Sequence, residues 1–269
     1  AAIPVALSCY HSFFNILNTS ILVWFIPTIE RIVNRVVATD DEEEFRLKFI
    51  PTGLMSASEL SIEPAKKEIE SFSKRVVRMY EFVPSLFVET DEKKFEQLME
   101  RTKKYEEITD RMEVEIANYL TKVSENELSL SASQEVSAML RIVDNLESIG
   151  DSCYQLSIAI ESKRKQNIWF SQDMRDKVQT MFSLVREAVL EMNDNLSENY
   201  HSVNGQRATE IENKINNYRD QLRNEHTEAV KNNEYSYQTG ICYSNLYAQC
   251  EKLADFAINV TEAIVKTQK

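Results

Sequence analysis

The sequence predicts an all-α protein, and three observations predict it. The 5 prolines (4, 27, 51, 64 and 84) all lie in the first third, so residues 85–269 contain none. Only 4 glycines occur in 269 residues, and apolar residues recur at spacings of three and four along most of the chain. Helix interiors exclude Pro, disfavour Gly and bury one stripe per turn. Doubly wound sheets, β-sandwiches and disulfide-stapled domains are excluded, because they need Gly-rich turns, alternating strands or dense, regularly spaced cysteines.

The amino-terminal segment differs from the rest. Residues 1–29 carry no Asp, Glu, Lys or Arg, and residues 30–37 add only Glu30, Arg31 and Arg35. A hydrocarbon core of about 30 Å needs roughly 20 apolar residues in a helix, so residues 1–37 read as a transmembrane helix. They lack the basic start of a signal peptide. His11, Asn15, Asn18 and Thr19 make a polar stripe of the kind that faces other membrane helices, which implies a larger membrane protein with this as its last span. Arg31 and Arg35 place the following residues on the cytoplasmic side. The competing reading is an amphipathic helix buried in a soluble core.

Residues 38–60 form an acidic linker containing Pro51 and Gly53. Helix one then runs from about Glu63, with Pro64 in its first turn, to about Phe82. Its apolar stripe is Ile69, Phe72, Val76, Met79 and Val83. Asp91 opens helix two, which carries Phe95, Leu98, Tyr105, Ile108, Met112, Ile116 and Leu120. Helix three is expected to start under Ser131 or Ser133 as cap and to run through Met139, Ile142, Leu146, Ile149 and Leu156 toward Lys163. A second trio follows at about 171–199, 206–231 and 236–267, separated by HSVNG and NNEYS. The domains are therefore 1–37, 38–60, a three-helix repeat at 61–168 and another at 169–269.

The two third helices match each other at a constant offset of 104. Glu147 pairs with Glu251, Asp151 with Asp255, Gln155 with Asn259, and Gly150 with Ala254. A weaker match sets EITDRM from Glu107 against EIENKI from Glu210, which puts Asp110 on Asn213. Side chains four apart drift by about 40° around a helix, so Glu147, Asp151 and Gln155 share one ridge, and Glu251, Asp255 and Asn259 another. Oxygen-rich ridges suit hard cations, and carboxylates can bridge two of them. The alternatives are a solvated helix face or a buried ion network, since acid pairs four apart are common in a chain with 43 Asp and Glu.

The net charge of −12 argues against nucleic-acid binding, which needs clustered Lys and Arg. His11, His201 and His226 are far apart and no Glu-x-x-His occurs, so a ferritin-like di-iron oxidase lacks its ligands. No phosphate-binding glycine loop or Ser/His/Asp set is present, and no enzymatic activity is expected. Cys9, Cys153, Cys242 and Cys250 read as free thiols of a reducing compartment. Trp24 and Trp169 read as packing or interfacial anchors.

ESIGDSCYQ and EKLADFAIN, each in the third helix of a three-helix half, resemble the E-x-x-x-D signature of PhoU domains. The segment HSFFNILNTSILVWFIPTIERIV, followed by the acidic linker and LKFIPTGLMSASELSIEPAKKEI, looks like the junction in bacterial sodium/phosphate cotransporters where the last membrane helix meets a PhoU-like tail. The resemblance covers essentially the whole chain. It implies two three-helix bundles that often dimerise, divalent or iron-type metal ions on the signature acids, and a role in phosphate homeostasis. Carried over by position, Glu147, Asp151, Glu251 and Asp255 are the signature acids, Asp110 and Asn213 complete the ligand sets, and Gln155 and Asn259 fill positions where the family varies. Neutral residues there weaken a site, the second half more than the first.

The function so implied is a cytoplasmic regulatory domain of a sodium-dependent phosphate cotransporter at the inner membrane. Its partner is the membrane-embedded transporter core, through which phosphate and sodium pass. The alternatives are a dimerisation or stability module without sensing, and a stand-alone PhoU-type regulator of phosphate uptake. The Ser- and Gln-rich motifs of the family's transport core are absent from these residues, so transport is expected only from a core outside them.

Overall fold

The structure, a computed structural model, describes residues 10–15, 45, 47–50, 59–198, 200 and 202–268. The chain divides into a unit Ala1–Glu44 and a unit Phe45–Lys269. In the first, residues 10–15 are helical, and the rest of the predicted membrane span lies outside the described residues. Among the described residues no helix is long and apolar enough to cross a membrane.

The second unit is built from six helices among the described residues: α1 (Ile62–Val88), α2 (Glu92–Ser124), α3 (Leu130–Lys165), α4 (Gln172–Ser197), α5 (Gln206–Lys231) and α6 (Tyr237–Lys266). Four of them start where a short polar side chain satisfies an otherwise orphaned amide. Asp91 accepts from Lys94 N, Ser129 from Ala132 N, Ser171 from Met174 N and Ser236 from Thr239 N. Such caps are each worth about 1 kcal/mol. The cap of α3 is thus Ser129, not Ser131 or Ser133, because the helix already begins at Leu130 and it is the Ser129 hydroxyl that accepts from its first turn. α1 also outruns its expected end at Phe82. Pro84 lies inside it and cannot donate to the carbonyl one turn back, yet Leu86 stays buried and the helix continues to Val88.

Two helices end on asparagine in the left-handed region, Asn167 (φ 53°) after α3 and Asn233 (φ 55°) after α5. At the first, Ile168 N reaches Lys163 O at 3.0 Å and Asn167 N reaches Arg164 O at 3.0 Å. At the second, Glu234 N reaches Ala229 O at 3.0 Å and Asn233 N reaches Val230 O at 3.2 Å. Both are Schellman closures, in which Asn does the work glycine usually does. This is how two of the six helices are closed in a chain with 4 glycines.

Two three-helix sets, α1–α3 and α4–α6, result, but they do not form separate bodies. α3 packs along α6 and α1 along α4, so residues 45–269 make one compact unit. Every predicted stripe residue of α1, α2 and α3 is buried except Leu98, which packs partly buried against the core. Cys153 of α3 and Cys250 of α6 are both fully buried. Two polar bonds align the halves, Tyr80 Oη donating to Phe182 O (2.6 Å) and Ser73 Oγ to Asn193 Oδ1 (2.9 Å), and within the second half Asn195 Nδ2 donates to Thr261 Oγ1 (3.1 Å).

The segment assigned to the linker is partly claimed by this unit. Phe45 and Leu47 pack against the core and Ile50 is buried. The Glu68 carboxylate, itself fully buried on α1, accepts from the backbone N–H of Lys48 (2.8 Å), Phe49 (2.7 Å) and Ile50 (3.4 Å) through one oxygen. The Arg111 guanidinium covers the Phe45 ring at 3.9 Å from its centroid.

Candidate functional site

Gly150 sets the spacing of α2 and α3. A methyl group in place of its hydrogen would sit 2.8 Å from Thr109 Oγ1 and 3.3 Å from Thr109 Cβ. The two helices therefore approach as closely as a missing side chain allows, and the acids flanking this contact are drawn together.

On the α3 side stand Asp144, Glu147 and Asp151, and on the α2 side Glu106, Asp110 and Glu113. They repel one another. Burial first, then Asp151 and Glu107, holds the Asp110 carboxyl above its ordinary range. Glu147 is raised by burial, then by Asp110 and Asp151, and the Ser148 hydroxyl at 3.3 Å only partly offsets this. Burial together with Asp110, Glu107 and Asp151 raises Glu106 against the opposing pull of Lys103. Burial with Asp144 and Asp110 raises Glu113. Gln155, exposed on the same ridge, donates to Asp151 Oδ1 at 3.5 Å.

The second ridge is chemically different. Asp255 is half-buried, and burial, Glu251 and Glu212 push its carboxyl up to about 6 against the lowering effect of Arg219. Arg219 of α5 forms an ion pair with Glu251 and a second, at 2.9 Å, with Asp220. Both partners of the Arg219–Glu251 pair are mostly shielded from water. Asn213 is exposed on α5, where the residues that act on Asp255 are Glu212 and Arg219, and Asn259 is exposed on α6.

The structure therefore brings Asp110 to Glu147 and Asp151 as expected, and places Glu251 beside Asp255. What sequence reasoning missed is Arg219. Its signal was available: it lies seven residues, two helical turns, after Glu212, on the face that carries the second-half match. Among the described residues no group of three or more His, Cys, Asp or Glu side chains stands in metal-holding geometry. The first ridge has the oxygen donors and the uncompensated repulsion that a hard cation relieves. The second already has its counter-charge in a guanidinium.

Trp169, expected as an anchor, is 77% exposed in the short connection between α3 and α4. Beside it lie two cavities. One of ≈ 940 Å³ is lined by Lys177, Glu225, His226 and Tyr235, the other of ≈ 610 Å³ by Phe87, Lys163 and Arg175.

Residues 69–159, from α1 into α3, match the PhoU domain family. No curated protein matches the chain in sequence. The fold is similar to the crystal structure of the phosphate transport system regulatory protein PhoU from Streptococcus pneumoniae, with a TM-score of 0.66 at 15% identity, over 78% of this chain and 96% of that one. It is also similar to PhoU from Pseudomonas aeruginosa, with a TM-score of 0.69 at 13% identity, over 77% of this chain and 97% of that one. This is a protein of PhoU-like, all-helical fold, with a PhoU domain match in its first three-helix set.

Proposed function

We propose that the helical unit is a non-enzymatic regulator of phosphate transport, carried on the cytoplasmic side of a sodium-dependent phosphate cotransporter by its amino-terminal segment. The observation that carries this reading is the PhoU domain match over residues 69–159. The uncharged residues 1–29 supply the membrane attachment, and residues 48–50 dock on Glu68 of α1 at the start of the bundle unit. Regulation then requires a ligand with different affinity for two docked states of the bundle. Truncating the protein after residue 58 in its own cell and measuring phosphate uptake across a range of external phosphate tests the reading. Loss of the response to external phosphate is expected, and an unchanged response overturns it.

A stand-alone regulator is the second reading. It is favoured by the 96% and 97% coverage of two PhoU chains. Fractionation of the intact protein separates the two: recovery with membranes supports attachment, and recovery in the soluble fraction supports the stand-alone form.

Metal binding belongs to this proposal on the first ridge only, with Glu147, Asp151 and Asp110 as ligands. Metal content measured by mass spectrometry, on protein purified without chelator, is expected to fall in Glu147→Gln and to stay unchanged in Asp255→Asn. Absence of metal from the parent protein overturns this part.

A further inference from the structure

The ≈ 610 Å³ cavity lies where the carboxy-terminal ends of α1 and α3 meet the start of α4. Its volume is in the range of sites that hold small organic molecules. Its walls are largely apolar, with Leu86, Phe87, Phe95 and Ile160 among them, and the exposed Trp169 stands at the rim.

Of the four charged residues that line it, Lys163, Arg164 and Arg175 are cations and Glu89 is the one acid. Lys163 Nζ lies 4.7 Å from the Phe170 ring centroid and 5.9 Å from that of Phe87, and among the described residues it has no carboxylate partner. Arg175 stacks at 5.2 Å on the Trp169 ring and bonds only neutral groups, Phe170 O (3.1 Å) and Gln172 Oε1 (2.7 Å). Burial holds the Lys163 ammonium below its ordinary range, against a raising effect of Cys242, and Arg175 adds a smaller lowering contribution.

The neighbouring charges are already spent. Arg164 bonds Glu89 O (2.9 Å), Thr90 O (3.2 Å) and the Glu92 carboxylate (2.6 Å). Glu89, the carboxylate of the lining, accepts from Thr90 N and Asp91 N at 2.8 Å each.

In a chain with 43 acids to 31 bases, an apolar cavity lined by three cations and one acid, with neither Lys163 nor Arg175 paired to a carboxylate among the described residues, is a local inversion. Like charges held together away from water are costly, and an anion removes that cost. We propose that this cavity binds a small organic anion, with its carboxylate or phosphate group on Lys163 and Arg175 and its planar apolar body against Phe87, Ile160 and Trp169. Both parts are needed: the ammonium and guanidinium hold the charge, and the aromatic walls exclude water from it. The site lies between α1, α3 and α4 and uses none of the acidic ridge residues.

Titration calorimetry on the intact chain with 1-naphthyl phosphate tests this, with inorganic phosphate and 1-naphthol in separate arms. One saturable site is expected for 1-naphthyl phosphate, with either half-molecule bound at least about tenfold more weakly. Lys163→Met, which keeps the apolar stem, is expected to weaken 1-naphthyl phosphate about tenfold, the scale of one charge-assisted contact, and to leave 1-naphthol unchanged. Arg175→Gln, nearer the rim, moves affinity in the same direction and serves if Lys163→Met fails to fold, which its circular dichroism melt reports. Inorganic phosphate binding as tightly as 1-naphthyl phosphate overturns the proposal. So does no binding, or affinity unaltered in the folded variants.

Discussion

The carboxylate of Glu68 holds the backbone N–H of Phe49 at 2.7 Å, from a side chain with no exposed surface. The same oxygen takes Lys48 N and Ile50 N, while the other carboxylate oxygen, also buried, has no hydrogen-bond partner among the described residues. One buried acid therefore fixes the course of the chain as it meets the bundle.

Removing that acid is expected to free the strap. Glu68→Ala leaves amides without their acceptor and a void on α1, at an expected cost of about 2–3 kcal/mol. Trypsin cleavage after Lys48 should accelerate in the variant under conditions where the parent resists. Equal cleavage rates would show that the strap is held by its apolar residues alone.

At the α2–α3 crossing, Gly150→Ala puts a methyl group against Thr109, whose hydroxyl is committed to Glu106 O at 2.8 Å. Overpacking of this kind outweighs the helix propensity gained, for a net loss of about 1 kcal/mol. Thr109→Ala in the same protein relieves the clash. The double variant should be more stable in urea than the sum of the two single changes by about 1 kcal/mol, and strict additivity would refute the close approach.

The pH dependence of stability carries the signature of Asp255. Its folded carboxyl is raised from 3.8 to about 6, so ionisation in the folded state is disfavoured. No penalty exists below about pH 4, where both states are protonated; it grows as pH rises through 4 to 6 and is complete above that. Asp255→Asn in chelator is therefore expected to stabilise at pH 7.5 by about 1 kcal/mol, allowing for solvent screening, with no gain at pH 4. A variant no more stable at pH 7.5 would contradict the assignment.

Thiol reactivity should follow burial. Burial raises Cys153 and Cys250 far above the ordinary thiol range, and both are enclosed between α3 and α6. Cys242 is only half-buried. Maleimide labelling of the native protein, read by peptide mass spectrometry, is expected to mark Cys242 while sparing Cys153 and Cys250 until urea unfolds the chain. Early modification of Cys153 would indicate that the α3–α6 seam opens locally.

Local chemistry determined what the sequence showed by itself. The helices from α1 to α6, most of their boundaries, the buried stripes and the register of the paired acids on α3 and α6 all follow from period, proline exclusion and turn residues, which act over a few positions. Asp110 is set with Glu147 and Asp151 only through the resemblance to PhoU domains, and the fold brings the three together.

Contacts between residues far apart in sequence belonged to the tertiary structure. It paired Glu68 with a strap 18–20 residues away, and Arg219 with Glu251, 32 residues away. It left Trp169 exposed where an anchor was expected, and it set Lys163 and Arg175 around one cavity. It also joined the two repeats along the α3–α6 seam into one unit. The physical reason is the range of the forces involved. Helix formation and amphipathicity are decided within one or two turns, whereas counter-charges, latches and cavities depend on which helix faces are brought together.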